Sequence, residues 1–268
     1  MYARRFVPSL ACAIIALLSM RAMSQGVALP AEVDLKLVIA VDISPSMSLH
    51  EQRVQREGYV AAFRQSQLVA AATSGRHGRI AVAYVEWAGL PRSAIPWTII
   101  DGPESADGFA ARLARLPIRQ ELRTSISSAL LFSSELLRDA PFFAERSVID
   151  ISGDGPNNSG PKVTAARDAV VAEGIVINGL PIMLDKTEQG FFETRGLDVY
   201  YEDCVIGGFG AFLVVVQSAD QFAEAIRRKL VLEIAGREPQ IIPAAAVASD
   251  ERMDCLIGEK LREQWMRE

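Results

Sequence analysis

Residues 35–46 read LKLVIAVDISPS. Seven residues, apolar except for Lys36, run without alternation into Asp42. A strand with one wet face alternates apolar and polar residues, whereas an unbroken apolar run of this length belongs to a strand buried on both faces. The run then breaks into Asp42-Ile43-Ser44-Pro45-Ser46, so an acid and two hydroxyls, spaced by two, lie on one side of a loop leaving the strand.

Working outward, strand-like and helix-like segments alternate. Glu51–Ala72 carries helical periodicity, with Val54, Tyr59, Ala62, Phe63 and Val69 as its apolar stripe. Arg79–Trp87 reads as a strand and ends at a Gly89/Pro91 break. Ser93–Ile100 is a further strand, with Pro96 placing it at an edge. Ala106–Leu116 and Ser125–Arg138 are helices, Ser147–Ser152 a strand, Pro161–Glu173 a helix and Ile175–Met183 a strand. Ala211–Val216 is read as the last strand and Ala219–Ile234 as the last helix of the domain. This alternation predicts an α/β fold, doubly wound, with a mostly parallel central sheet and helices on both faces. In such sheets ligands bind beyond the carboxyl ends of the strands.

Three loops carry chemistry, two of them of that kind. The first holds Asp42, Ser44 and Ser46. The second follows Ser147–Ser152 and holds Asp154 between Gly153 and Gly155. The third is Arg123-Thr124-Ser125, just before a helix. Two carboxylates and three hydroxyls are hard oxygen donors, suited to Mg²⁺ or Mn²⁺ and not to zinc or copper. Hydroxyls neutralise little charge, so an ion held mainly by them has reason to recruit a further carboxylate.

These residues resemble the metal-ion-dependent adhesion site of von Willebrand factor A domains: Asp-x-Ser-x-Ser, then a distant Thr, then an Asp after a central strand. The resemblance covers roughly residues 33–235. It implies that Ser44, Ser46 and Thr124 contact the metal directly and that Asp42 and Asp154 act more often through water. It also implies a protein-binding, adhesion-type module with no enzymatic activity, whose protein ligand supplies a carboxylate to the metal. The segments GDGPNNSG and VIGGFGAF resemble an exported, single-domain bacterial group within that family. Two departures stand out: Pro45 occupies a position where glycine is commoner, and Arg123 replaces the usual glycine before the threonine. Either a structural domain with a loop-stabilising metal or a Mg²⁺-dependent hydrolase is the alternative. The hydrolase is disfavoured because Ser44 stands where a haloacid-dehalogenase-like acid/base would need a second aspartate.

The N-terminus reads as a signal peptide over residues 1–24: Arg4-Arg5, an apolar run from Phe6 to Met20, then Ala22-Met23-Ser24. Export to the periplasm or beyond is the expectation. The run is too short to span a bilayer, and no later segment is apolar enough, so no membrane span is expected in the mature chain. The formal net charge is −5. Cleavage would remove three arginines and no acid, taking it to −8. An acidic domain is a poor partner for nucleic acid. In an oxidising space Cys204 and Cys255, the two cysteines of the mature chain, are expected to pair. Residues 236–268 are read as a tail with a short helix. Asp150, inside Val148–Ile151, is read as a hydrogen-bonded core acid tying its strand to a neighbouring loop, and His50 as exposed at the start of a helix.

Overall fold

A computed structural model describes residues 31–184, 196–236 and 252–267. The predicted signal peptide lies outside them. Five strands form one sheet: β1 (Ala31–Asp42), β2 (Ile80–Trp87), β3 (Arg92–Ile100), β4 (Phe142–Gly153) and β5 (Val176–Pro181), in the order β3-β2-β1-β4-β5. All neighbours are parallel except β2 and β3. The central strand is β1, the apolar run on which the sequence reading rests, and Leu35, Leu37, Val38, Ile39 and Ala40 are all fully buried.

Helices cover both faces, because both faces of the parallel strands are apolar. On one side lie α1 (Leu49–Phe63), α2 (Ser66–Ala72), α3 (Pro103–Arg115) and α7 (Phe222–Ala235), packed on Leu37, Ile39, Val82 and Tyr84. On the other lie α4 (Ile126–Arg138), α5 (Val163–Ala172) and α6 (Leu197–Tyr200), packed on Val38, Ala40, Val85, Ile149 and Ile151. A one-turn π-helical segment, Tyr201–Val205, continues α6, and α8 (Ile257–Trp265) closes the described chain. No helix among the described residues is long and apolar enough to cross a membrane.

Two sequence expectations are corrected. The single helix read over Glu51–Ala72 is two: α1 is capped at Arg64, and Gln65 is extended before α2 begins. Ala211–Val216 does not form a regular strand. It runs beside β5 through isolated bridges, Gly179 with Leu213 and Ile182 with Val216. Between those bridges stands Pro181. It accepts from the Val216 N–H at 3.0 Å but has no N–H to return, so the ladder cannot close into a sixth strand.

Asp150 is a core acid, tied to a helix and not to a loop. It points to the α7 side, where the Lys229 ammonium lies 2.5 Å from its Oδ1 and also pairs with Glu233. All three are buried. Two acids facing one base leave an excess negative charge. Burial, with the added repulsion of Asp150, pushes the Glu233 carboxyl up to about 8, so at neutral pH it mostly keeps its proton and the cluster is close to neutral.

Removing the shared cation strands the acids. Lys229→Ala should destabilise the fold by about 3–5 kcal/mol in chemical denaturation. Because the folded chain holds the Glu233 proton from about pH 4.5 to 8, where the unfolded chain has lost it, this group contributes stability at low pH that fades as pH rises through that window. Wild-type stability relative to Glu233→Gln should therefore decline from pH 5 to pH 8. A flat difference would contradict the assignment.

Candidate metal centre

The carboxyl ends of β1 and β4 lie side by side, with Val41 beside Ser152. Asp42 is the last residue of β1, and Asp154 follows the last residue of β4. After Asp42 the chain turns at once. The Ser44 N–H donates to Asp42 Oδ1 at 2.7 Å, and the Met47 N–H to the Ser44 carbonyl at 3.1 Å. Ser48 then caps α1: its hydroxyl accepts from Glu51 N–H, and the Glu51 carboxylate accepts from Ser48 N–H, a capping box. The loop is held at both ends, and Ser44 and Ser46 are presented together.

The oxygens form a continuous chain. Ser44 Oγ and Ser46 Oγ are 2.9 Å apart, and Ser46 donates to Asp154 Oδ1 at 2.6 Å. Asp42 and Ser44 are fully buried, whereas Ser46 faces solvent. The loop that carries Thr124 joins this face by a separate route. It is stitched to the others by Glu121 N–H to the Ile43 carbonyl (3.0 Å), Gln120 Nε2 to the Met47 carbonyl (2.6 Å) and Ser125 N–H to the Ala88 carbonyl (2.8 Å). Asn158 fixes Thr124 at two points: its Oδ1 accepts from Thr124 N–H at 3.0 Å, and its N–H donates to the Thr124 carbonyl at 2.8 Å. Asn157 Oδ1 accepts from Ser127 N–H in the first turn of α4.

The electrostatics are unbalanced. Asp42 Oδ2 is buried and has no hydrogen-bond partner. Burial, and then the charge of Asp154, push the Asp42 carboxyl well above the usual carboxylate range. A buried, half-satisfied carboxylate beside a second carboxylate is what a cation would neutralise. Among the described residues no group of three or more His, Cys, Asp or Glu gathers at one point, so a cation here depends on hydroxyls. The residues present therefore fit a hard divalent ion: a buried carboxyl with an open lone pair, a second carboxylate, and the hydroxyls of Ser44 and Ser46 leading from one to the other.

Three features escaped the sequence reading. Gly153 leaves no room for a side chain, since a Cβ there would sit 2.8 Å from Asp42 Oδ2 and 3.0 Å from the Tyr201 hydroxyl. Tyr201 itself is buried with its hydroxyl unpartnered. Asn157 and Asn158 lie in the GDGPNNSG segment, which drew notice for a family likeness and not for the bonds its asparagines make. Arg123 has φ 75°, alone in the left-handed region among the described non-glycine residues. That backbone explains why glycine suits the position. The side chain stays exposed and lies across Gly89. His50 is an exposed residue of α1, as read. Cys204 and Cys255 are joined by a disulfide, with α-carbons 5.6 Å apart.

A family model described as a protein of unknown function, DUF1194, matches residues 32–238. The chain belongs to the DUF1194 family. No curated protein matches it in sequence. Solved structures similar to this DUF1194 chain have von Willebrand A-type folds. A von Willebrand factor type A protein from Catenulispora acidiphila matches with TM-score 0.53 and 14% identity, over 78% of this chain and 44% of its own. Proximal thread matrix protein 1 from the mussel byssus matches with TM-score 0.54 and 14% identity, over 76% and 49%. A further structure of that byssus protein is described as having a zinc-occupied MIDAS motif (TM-score 0.52, 14% identity, 76% of this chain and 48% of that one). The pilus adhesin SpaC from Lactobacillus rhamnosus GG matches with TM-score 0.58 and 11% identity, over 75% and 31%. The matched region spans half or less of each of these proteins. At such identities the likeness establishes the fold, a mostly parallel sheet flanked by helices.

The unbalanced charge leads to a stability signature. Without metal, Asp42→Asn keeps the acceptor for Ser44 N–H and removes the cost of burying a carboxyl beside Asp154, so the thermal midpoint in EDTA should rise by about 2–4 °C. Gly153→Ala, which forces a methyl group against Asp42 and Tyr201, should lower it. Differential scanning calorimetry measures both, and a fall of several degrees in Asp42→Asn would mean that the carboxylate is already compensated.

Proposed function

We propose that this protein is an exported, divalent-cation-dependent binding module. It holds one Mg²⁺ or Mn²⁺ through Asp42, Ser44, Ser46, Thr124 and Asp154, and uses the ion to capture an acidic group of a protein partner. The observation that carries the reading is the chain of contacts from Ser44 through Ser46 to Asp154, beside the buried, unpartnered oxygen of Asp42. The bound ion supplies positive charge and an open coordination position. Everything else falls to the chain's residues. The two aspartates balance the ion, the hydroxyls orient it, and the capped loop after β1 keeps Ser46 at the surface where a partner can reach.

The rim favours a protein over a small anion. Leu90 and Leu122, on the loops after β2 and before α4, are 76% and 78% exposed, and Gly89 N–H donates to the Leu122 carbonyl at 3.0 Å, which joins the two loops. Exposed leucines on neighbouring loops beside a charged centre are the composition of a contact surface with an apolar margin. The byssus protein, with its zinc-occupied motif, and the pilus adhesin share the fold and accord with this use of it. Export accords with Arg4-Arg5, the apolar run that follows and the Cys204–Cys255 bridge.

Calorimetric titration of the purified protein tests the reading. Mg²⁺ or Mn²⁺ should bind at a single site and raise the thermal midpoint in proportion to RT ln(1 + [L]/Kd), about 2.7 kcal/mol at a hundredfold excess over Kd. Asp154→Ala and Ser46→Ala should abolish or strongly weaken binding while leaving the metal-free fold intact. Unchanged binding in both variants would overturn the assigned centre. Turnover of a phosphate-ester panel, lost in Asp42→Asn, would replace the binding module with a hydrolase.

A further inference from the structure

Behind the centre lies a part of the chain whose place is not accounted for by the sheet. The α6 and π-helical segment presents two adjacent tyrosines. Tyr201 lies beside Asp42, and the Tyr200 hydroxyl accepts from Asn157 N–H at 3.1 Å. The same segment carries Cys204, whose disulfide fixes Cys255, and Asp203, which accepts from Met253 N–H at 2.8 Å. From this anchor α8 lies across the loop that follows Asp154. Glu259 Oε1 accepts from Asn157 Nδ2 at 2.8 Å, and Arg262 donates to the Asn158 carbonyl at 3.0 Å. Gly258 packs so closely on the Asn157 carbonyl that a Cβ there would collide with it. Those two asparagines are the residues whose side chains hold Thr124 N–H and Ser127 N–H.

We infer that residues 252–267 are a disulfide-held clamp that sets the geometry of the metal centre: Asn157 and Asn158, gripped by Glu259, Arg262 and Gly258, act as positioning residues for Thr124 and for the loop carrying Asp154. The inference rests on the metal reading above for its consequence and on the bonds alone for its mechanism. A helix that merely covered apolar surface would have no use for a charged side chain on each asparagine. Here the polar contacts of Glu259 and Arg262 end on Asn157 and Asn158. The disulfide closes a 51-residue separation, worth about 4 kcal/mol in the chain-entropy model. Its reduction frees the anchor of the clamp while leaving the sheet untouched.

The test compares five states of the full chain: oxidised wild type, reduced wild type, reoxidised wild type, Cys204→Ser with Cys255→Ser, and Glu259→Ala with Arg262→Ala, which removes both the acceptor for Asn157 and the donor to Asn158. The last keeps the disulfide and stands in if the cysteine variant fails to fold. Amide hydrogen exchange without metal reads the clamp directly. Thr124 and Asn158 amides should lose protection on reduction and in both variants, regain it on reoxidation, and leave Val38 and Val82 in the core unchanged. Mg²⁺ affinity should fall by about tenfold or more in parallel, as when partners behind metal ligands are removed. Unchanged protection at Thr124 and Asn158 in Glu259→Ala/Arg262→Ala, with Mg²⁺ affinity within twofold of wild type, would overturn the clamp. If wild type binds no Mg²⁺ while protection still follows the clamp, the metal reading fails and the clamp stands.

Discussion

Asp42 sits where the central strand leaves the core, fully buried, one oxygen held by its own loop and the other facing Gly153, Tyr201 and Asp154. Two carboxylates in that position repel one another, and burial raises the cost of either charge. Hydroxyls, a glycine and three stitched loops surround the pair. The contrast lies on β4 itself, four residues before Asp154: Asp150 meets a buried lysine and a glutamate whose carboxyl is pushed up to about 8, and its charge is settled within the fold. The same sheet thus holds one acid satisfied from inside and one left to be satisfied from outside.

The loops that present the centre depend on the rest of the structure in a definite order. Apolar strands place the ends of β1 and β4 together. The Ser48 cap converts the first loop directly into α1. Asn157 and Asn158 then bind the second loop to the third, and the disulfide-linked C-terminal helix holds the asparagines. A metal's affinity is set as much by residues that orient its ligands as by the ligands, so in the proposed centre these outer parts would share in its chemistry.

Much of this was legible in the sequence. β1 and β4 were readable because strands buried on both faces need unbroken apolar runs, and the loops were readable because Asp, Ser and Thr stand at strand ends in a recognisable order. The pairing of Cys204 with Cys255 followed from compartment and count. Other features were not legible for physical reasons. The break at Gln65 interrupts a helical stripe by a change of one residue's backbone, with no glycine or proline to mark it. Pro181, which breaks the last ladder, was read only as part of an apolar strand. The asparagine clamp depends on contacts between residues about a hundred positions apart, which local pattern does not record. Lys229 looks like an ordinary polar position of a helix, and only the packed structure places it against Asp150.

The most direct measurement is a crystal structure of the protein soaked in Mn²⁺, with data collected to reveal the metal's anomalous signal. The account predicts a single strong peak among Asp42, Ser44, Ser46, Thr124 and Asp154, with hydroxyl ligands bound directly and one coordination position left to water or to a carboxylate from outside. A well-ordered centre with no peak there, or a peak held by other residues, would contradict it.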